Sequence, residues 1–205
     1  MNKTLEFIGY SGHCYVCIEI AILLCHEIIG YYDIEEKLEN PYTINYLGSE
    51  NEIIKSNSNL FIAIGDNYLR QQIFEKLSLN NNFSSLIHPS SIISSTSLLS
   101  SNVLVSAGAI VNAQVSIGHG CIVNTSATIE HECQLDDFVH VAPGAVLAGN
   151  VKVGKRSFIG ANAVINQGLT IGDDVIIGAG AVIINDVPSN STVVGNPGRI
   201  IKTKI

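Results

Sequence analysis

The chain has 205 residues, 46% of them hydrophobic and 14% charged, and a formal net charge of -7. Its 11 Lys plus Arg give no broad basic footprint, which argues against nucleic acid or an anionic lipid surface as a partner. The apolar balance points to outer surface buried between copies of the chain, while the lack of a signal-like start or of about 18 uninterrupted apolar residues makes the cytoplasm the expected location, without membrane insertion.

In chain order, TLEFIGY (4–10) reads as a short strand ending at Gly9, and GHCYVCIEIAILLCHE (12–27) as a buried helix. IIGYYDIEE (28–36) reads as a second strand closing on an acid, NLFIAIGDN (59–67) as a third, and YLRQQIFEKLSLN (68–80) as an amphipathic helix with a basic and polar face. This is a small parallel α/β unit of Rossmann type. The five cysteines are an odd number and are expected to stay reduced; CYVC (14–17) has redox spacing but reads as small buried residues of the first helix.

Ligands of such sheets bind beyond the carboxyl ends of the strands, so the predicted crevice is lined by Ser11, Gly12, His13, Asp33, Gly65 and Asn67. The first turn places backbone N–H groups at a helix start, which suits a phosphate or diphosphate. GYSGH is not the dinucleotide fingerprint, so a nicotinamide cofactor is not expected.

Beyond residue 85 the period becomes six. Every sixth residue from Ile87 through Ile93, Leu99 and onward to Ile183 is aliphatic, and the residue two before each is small or aliphatic. Two inward positions flanking an outward one make a short strand, and repetition makes a hexapeptide β-helix with three strands to an 18-residue coil. The predicted division is therefore 1–84, a Rossmann-like unit, and 85–205, an all-β left-handed parallel β-helix with a C-terminal tail. Gly118, Gly154, Gly160, Gly172 and Gly178 follow the aliphatic residue, where the chain must bend or take a positive φ.

Two histidines stand out on this scaffold. His131 falls two residues after the inward Ile129, at a turn, flanked by Glu130 and Glu132; a carboxylate beside an imidazole raises its basicity and fixes its tautomer, as a general base requires. His140 immediately precedes the inward Val141 and so points outward from a flat face. Counting by three places them on different sides of one prism, so they meet only if a second subunit packs alongside, three copies being the natural number. The competing metal reading would join them with His119, on yet another corner.

Residues 124–155, NTSATIEHECQLDDFVHVAPGAVLAGNVKVGK, resemble the active-site segment of bacterial nucleotide-sugar acetyltransferases of the PglD type and the related NeuD sialic acid O-acetyltransferases. GYSGH, IAIGDNYLRQQI, LIHPSSIIS and VVGNPGRIIK resemble further landmarks, so the likeness spans essentially the whole chain. The resemblance implies a cytoplasmic homotrimer with active sites between subunits. In it the N-terminal unit binds a nucleotide-linked amino sugar through Ser11, Gly12, His13, Asp33, Gly65 and Asn67, and the helix binds acetyl-CoA. By the same resemblance His131 is the base, Glu132 its carboxylate, His140 the group contacting the thioester region from a neighbouring subunit, and Gly149, Ala161 and Ala179 line the pantetheine track. Where family members carry two adjacent acids after the second strand, this chain has Ile34 after Asp33.

The expected reaction is direct N-acetylation of a 4-amino-4,6-dideoxy sugar on a UDP, dTDP or GDP carrier, in a bacterial surface-glycan (lipopolysaccharide or O-antigen) pathway, with no metal. Sugar O-acetylation and an inert sugar-binding scaffold are the alternatives, the His131–Glu132 pair arguing against the second.

Overall fold

The computed structural model describes residues 4–203; residues 1–3 and 204–205, at the outer ends of the two predicted segments, lie outside it. The first segment is a parallel four-stranded sheet built from β1 (Thr4–Ile8), β2 (Glu27–Tyr32), β3 (Asn45–Gly48) and β4 (Asn59–Ile62), in the order β3-β2-β1-β4. Helices α1 (Gly12–Leu23) and α2 (Asn67–Leu77) connect it. The strand β3 is absent from the sequence reading. Its four residues lie between polar segments at the sheet edge, too few to show a period of two. Cys14 and Cys17 are fully buried in α1, and burial raises both thiols well above the ordinary range, which keeps them protonated.

Seventeen two-residue strands follow, from Leu86–Ile87 to Val182–Ile183, three to a coil, and each as far as Val164–Ile165 pairs in parallel with the strand 18 residues on, as in Ser116 with Gln134 and Ile122 with His140. They stack into three flat faces. Face I carries the outward residues Leu86, Leu104, Ile122, His140, Phe158 and Ile176; face II carries Ile92, Ile110, Thr128, Val146, Val164 and Val182; face III carries Leu98, Ser116, Gln134, Lys152 and Thr170. The predicted inward columns form one buried cluster from Val103 to Val193, with Ile87, Ile93 and Leu99 packed against its open end. Each buried aliphatic side chain contributes roughly 1.5–3 kcal/mol, so the stacked columns hold the coils together. An antiparallel hairpin, Ser191–Val194 with Arg199–Thr203, extends face I.

The outward residues decide what each face meets. Leu86, Leu104 and Ile122 on face I are buried in the same cluster as β1 and α1 residues, so the N-terminal sheet unit lies on this face. Face III is largely polar. Face II is aliphatic yet only half-covered, with Ile92 65% exposed.

The glycines after the aliphatic column serve close approach instead of positive φ. A Cβ on Gly160 would lie 2.5 Å from the Ile177 carbonyl oxygen and 2.6 Å from the Ala179 nitrogen, in the backbone of the next coil. The left-handed position comes two residues later, and residues with side chains hold it repeatedly, among them Asn102, Glu132 (φ 61°), Asn150 and Asp174.

The two segments are stitched by polar side chains. Arg70 of α2 is 1% exposed and uses all five of its N–H donors: Nε to the Gly120 carbonyl (2.7 Å), Nη1 to those of Ile64 and Gly65, and Nη2 to Asn67 Oδ1 (2.7 Å) and the Phe138 carbonyl. Asn67 Nδ2 donates to the Arg156 carbonyl (2.8 Å), and the buried Asn102 Oδ1 accepts from the Ile62 backbone N–H (2.8 Å).

Candidate active site

The predicted site residues distribute over two edges of the prism and the crevice beside it. His131 lies at the corner between faces II and III, its side chain 52% exposed, with Nδ1 3.1 Å from Glu132 Oε2. The left-handed backbone at Glu132 turns that carboxylate back toward the preceding ring. One coil above, Gly149 leaves room for the imidazole: a Cβ there would sit 2.5 Å from both His131 Cε1 and Nε2. Gly149→Ala should therefore displace the ring, which is free to move outward. A fall in kcat of ~10-fold or more is expected with Tm unchanged, since a 1 Å misplacement of a reacting group can cost about 10²-fold; wild-type kcat would show that this seat does not matter.

Ala161 and Ala179 occupy the corner between faces I and II, one coil apart, where Asn124 also lies. His140 is outward-pointing on face I, as the sequence predicts, but it does not stand free: it is 8% exposed, covered by the chain's own N-terminal unit. Its ring meets His13 (centroids 6.4 Å apart) and the edge of Phe158 (5.0 Å), and its Nε2 lies 3.3 Å from Asn124 Nδ2. Burial, helped by the nearby Arg70 charge and His13, pushes its pKa down to about 3; burial and then Arg70 push His13 down to about 4. Both rings are thus neutral in the folded chain.

That has a measurable consequence. An unfolded histidine takes up its proton near pH 6.5, so below that pH the unfolded state binds protons that the native state refuses until about 4 for His13 and 3 for His140. Stability is full above about pH 6.5 and falls as the pH drops, by up to ~1.4 kcal/mol per pH unit for each ring. Urea unfolding at pH 7 and 5.5 should show the loss, and His140→Gln should reduce it; an undiminished loss in that variant would contradict the assignment.

At the carboxyl ends of the strands, Ser11, Asp33 and Gly65 line a crevice of about 190 Å³ with Gly9, Ile34 and Leu69. Gly12 lies in an adjoining outer cavity of about 850 Å³, shared with Ser11, Tyr15 and the 35–39 loop. Asp33 Oδ2 accepts from the Tyr10 N–H (2.9 Å), and Lys37 Nζ sits 3.0 Å from Oδ1. Two predicted crevice residues are placed differently. The ring of His13 turns inward to His140, and the amide of Asn67 is spent on Arg70 and the Arg156 carbonyl, beside a separate 340 Å³ cavity floored by Phe158 and Ile176. His119 stands at the corner between faces III and I, against Phe74 and Ser101, remote from His131. Among the described residues no three His, Cys, Asp or Glu side chains are grouped to hold a metal, and no helix is long and apolar enough to cross a membrane.

A hexapeptide prism with a histidine–carboxylate pair on one edge and a sheet crevice beside it defines a hexapeptide-repeat acyltransferase. Residues 4–77 match the PglD N-terminal domain, and residues 132–167 and 150–185 match the bacterial transferase hexapeptide (six repeats). The acetyltransferase domain of PglB from Neisseria gonorrhoeae, solved with acetyl coenzyme A, is 36% identical with a TM-score of 0.92, covering 98% of this chain and 100% of that one. A variant of perosamine N-acetyltransferase from Caulobacter crescentus, in complex with CoA and GDP-perosamine, is 32% identical with a TM-score of 0.89 and 97% coverage of each chain. No curated protein sequence matches. The chain belongs to the PglD type of hexapeptide-repeat acetyltransferases.

Proposed function

We propose that this protein transfers an acetyl group from acetyl-CoA to the amine of a nucleotide-linked 4-amino-4,6-dideoxy sugar. The observation that carries the reading is the exposed His131–Glu132 pair on one edge of the prism, in a chain whose relatives were solved with acetyl-CoA and with CoA plus GDP-perosamine.

The faces supply a reason for a trimer. Face II is the aliphatic, half-covered one, and its two bounding corners carry His131, Glu132 and Gly149 on one side and Ala161 and Ala179 on the other, with His140 on the adjoining face I. Three prisms turning face II to a common axis bring the corner with Ala161 and Ala179 of one chain against the His131 corner of the next. Acetyl-CoA then lies along that seam, with its acyl end near His140, and the nucleotide sugar reaches the seam from the crevice at Ser11, Asp33 and Gly65.

His131, oriented by Glu132, takes a proton from the sugar nitrogen as its lone pair forms a bond to the thioester carbonyl carbon. The C–S bond then breaks, and the departing thiolate takes that proton. The setting we infer is the cytoplasm, in the supply of surface-glycan sugars. Screening UDP-, dTDP- and GDP-linked 4-amino sugars with acetyl-CoA, scored by CoA thiol release and product mass, tests it. Release with none of them, or addition on oxygen, would refute the N-acetyl reading.

A further inference from the structure

We propose that Phe158 and Ile176 determine which sugar this protein accepts: they floor the seat of the hexose ring and select a ring that carries a methyl group at C5 over one that carries a hydroxymethyl group. The inference rests on the reading above and names the side chains behind its 6-deoxy part.

Both residues continue the outward row of face I. Leu86, Leu104, Ile122 and His140 in that row are buried under the N-terminal unit, and the cover stops there. Phe158 is half-buried, Ile176 is 46% exposed, and both face the cavity of about 340 Å³. Tyr68, exposed at the start of α2, adds an aromatic wall. Large apolar side chains around an open cavity are the usual lining of a small-molecule site.

The place of this cavity assigns its occupant. Gly65 lines both it and the 190 Å³ crevice at the strand ends, so the two adjoin on the nucleotide side. On the other side, Ala161 and Ala179 each come three residues after a floor residue, which puts the cofactor edge within about 10 Å of the floor. The ring of His140 meets the edge of Phe158, with centroids 5.0 Å apart. A molecule whose nucleotide lies in the crevice and whose amine reaches the acyl group near His140 has to lay its sugar across this space.

The walls then choose among sugars. Polar groups at the rim are engaged with one another: Arg156 Nε donates to Asp174 Oδ1 (2.7 Å) and its Nη1 to Gln71 Oε1 (3.1 Å), while Asp66 Oδ1 accepts from the Leu69 N–H (2.8 Å). The floor side chains neither donate nor accept. A methyl group turned toward Phe158 and Ile176 leaves water without losing a hydrogen bond, whereas a hydroxyl there gives up its water partners and finds none. An apolar pocket rejects an added hydroxyl by about 10²-fold at best, which sets the size of the effect.

The test compares two nucleotide sugars that differ only at C6: a 4-amino-4,6-dideoxyhexose and the 4-amino-4-deoxyhexose that keeps its 6-hydroxyl, on whichever of UDP, dTDP and GDP binds the protein. Calorimetry without acetyl-CoA measures binding, and thiol release with it measures kcat/KM. The native protein should favour the 6-deoxy sugar by about 10–10²-fold in both. Ile176→Thr and Phe158→Tyr each put a hydroxyl in the floor and should narrow that gap by ~5-fold or more, the worth of one hydrogen bond. Ile176→Val, the size of threonine without the hydroxyl, should keep it. Ile176 is half exposed, so both of its variants should fold, with Tm as the check. No preference in the native protein, a gap that the threonine and tyrosine variants leave unchanged, or equal narrowing by valine and threonine would overturn the proposal. A gap in binding without thiol release from either sugar would uphold it and refute the acetyl transfer proposed above.

Discussion

His131→Ala lowers kcat by about 10²–10⁴-fold, the usual contribution of a positioned general base, with no change in thermal unfolding. The second half of the expectation follows from geometry. The His131 side chain is half exposed at a corner, its side-chain bond is to the neighbouring Glu132, and it lies outside the apolar columns that hold the coils together. Glu132→Gln keeps the size and the left-handed backbone but removes the charge, so its fall in kcat should be smaller and of the same kind. Steady-state kinetics with a nucleotide amino sugar, paired with Tm, checks both. A His131→Ala protein that turns over normally would dismantle the assignment of the base.

Arg70→Ala acts on the other axis. It removes donors from four backbone carbonyls and the Asn67 amide oxygen, and leaves a buried void between α2 and face I. Breaking a buried network of this kind costs about 3 kcal/mol or more. Arg70→Met, which fills much of the volume without donors, should lie between alanine and the native side chain. Urea midpoints measure the order; equal stability of all three would show that the stitch contributes nothing. The native guanidinium holds its own pKa down to about 10 through burial and also disfavours protonation of His13 and His140. Arg70→Met should therefore weaken the loss of stability at acidic pH.

What could be read from the sequence depended on repetition. The aliphatic column from Ile87 to Ile183 repeats seventeen times, so the coil, the corners and the separation of His131 from His140 could all be counted out before any contact was known. The pairing of His131 with Glu132 was legible because neighbours in sequence are neighbours in space. Arg70 was not, because its acceptors are main-chain carbonyls at Gly120 and Phe138, and a carbonyl leaves no mark on residue type. The covering of His140 had a signal that counting by six overlooks. Read every eighteenth residue, Leu86, Leu104 and Ile122 precede His140, an outward row too apolar to face water. Asn67 looked like a ligand contact because it stands at a strand end, yet its amide is used to join the two segments.

The constant 18-residue coil makes the prism a graduated scale. Parallel strands are spaced by about 4.8 Å, so each position along the Ala161–Ala179 edge is one fixed increment from the next. Excising one full coil above Gly149 would leave every face and edge with its own character and shorten the seam by a single increment, truncating the cofactor's berth while keeping the reacting groups in place. Excising one hexapeptide would do something different in kind. Everything beyond the cut would rotate by a third of a turn, so that the aliphatic face meant for a sister subunit would stop partway along the prism and continue as polar surface.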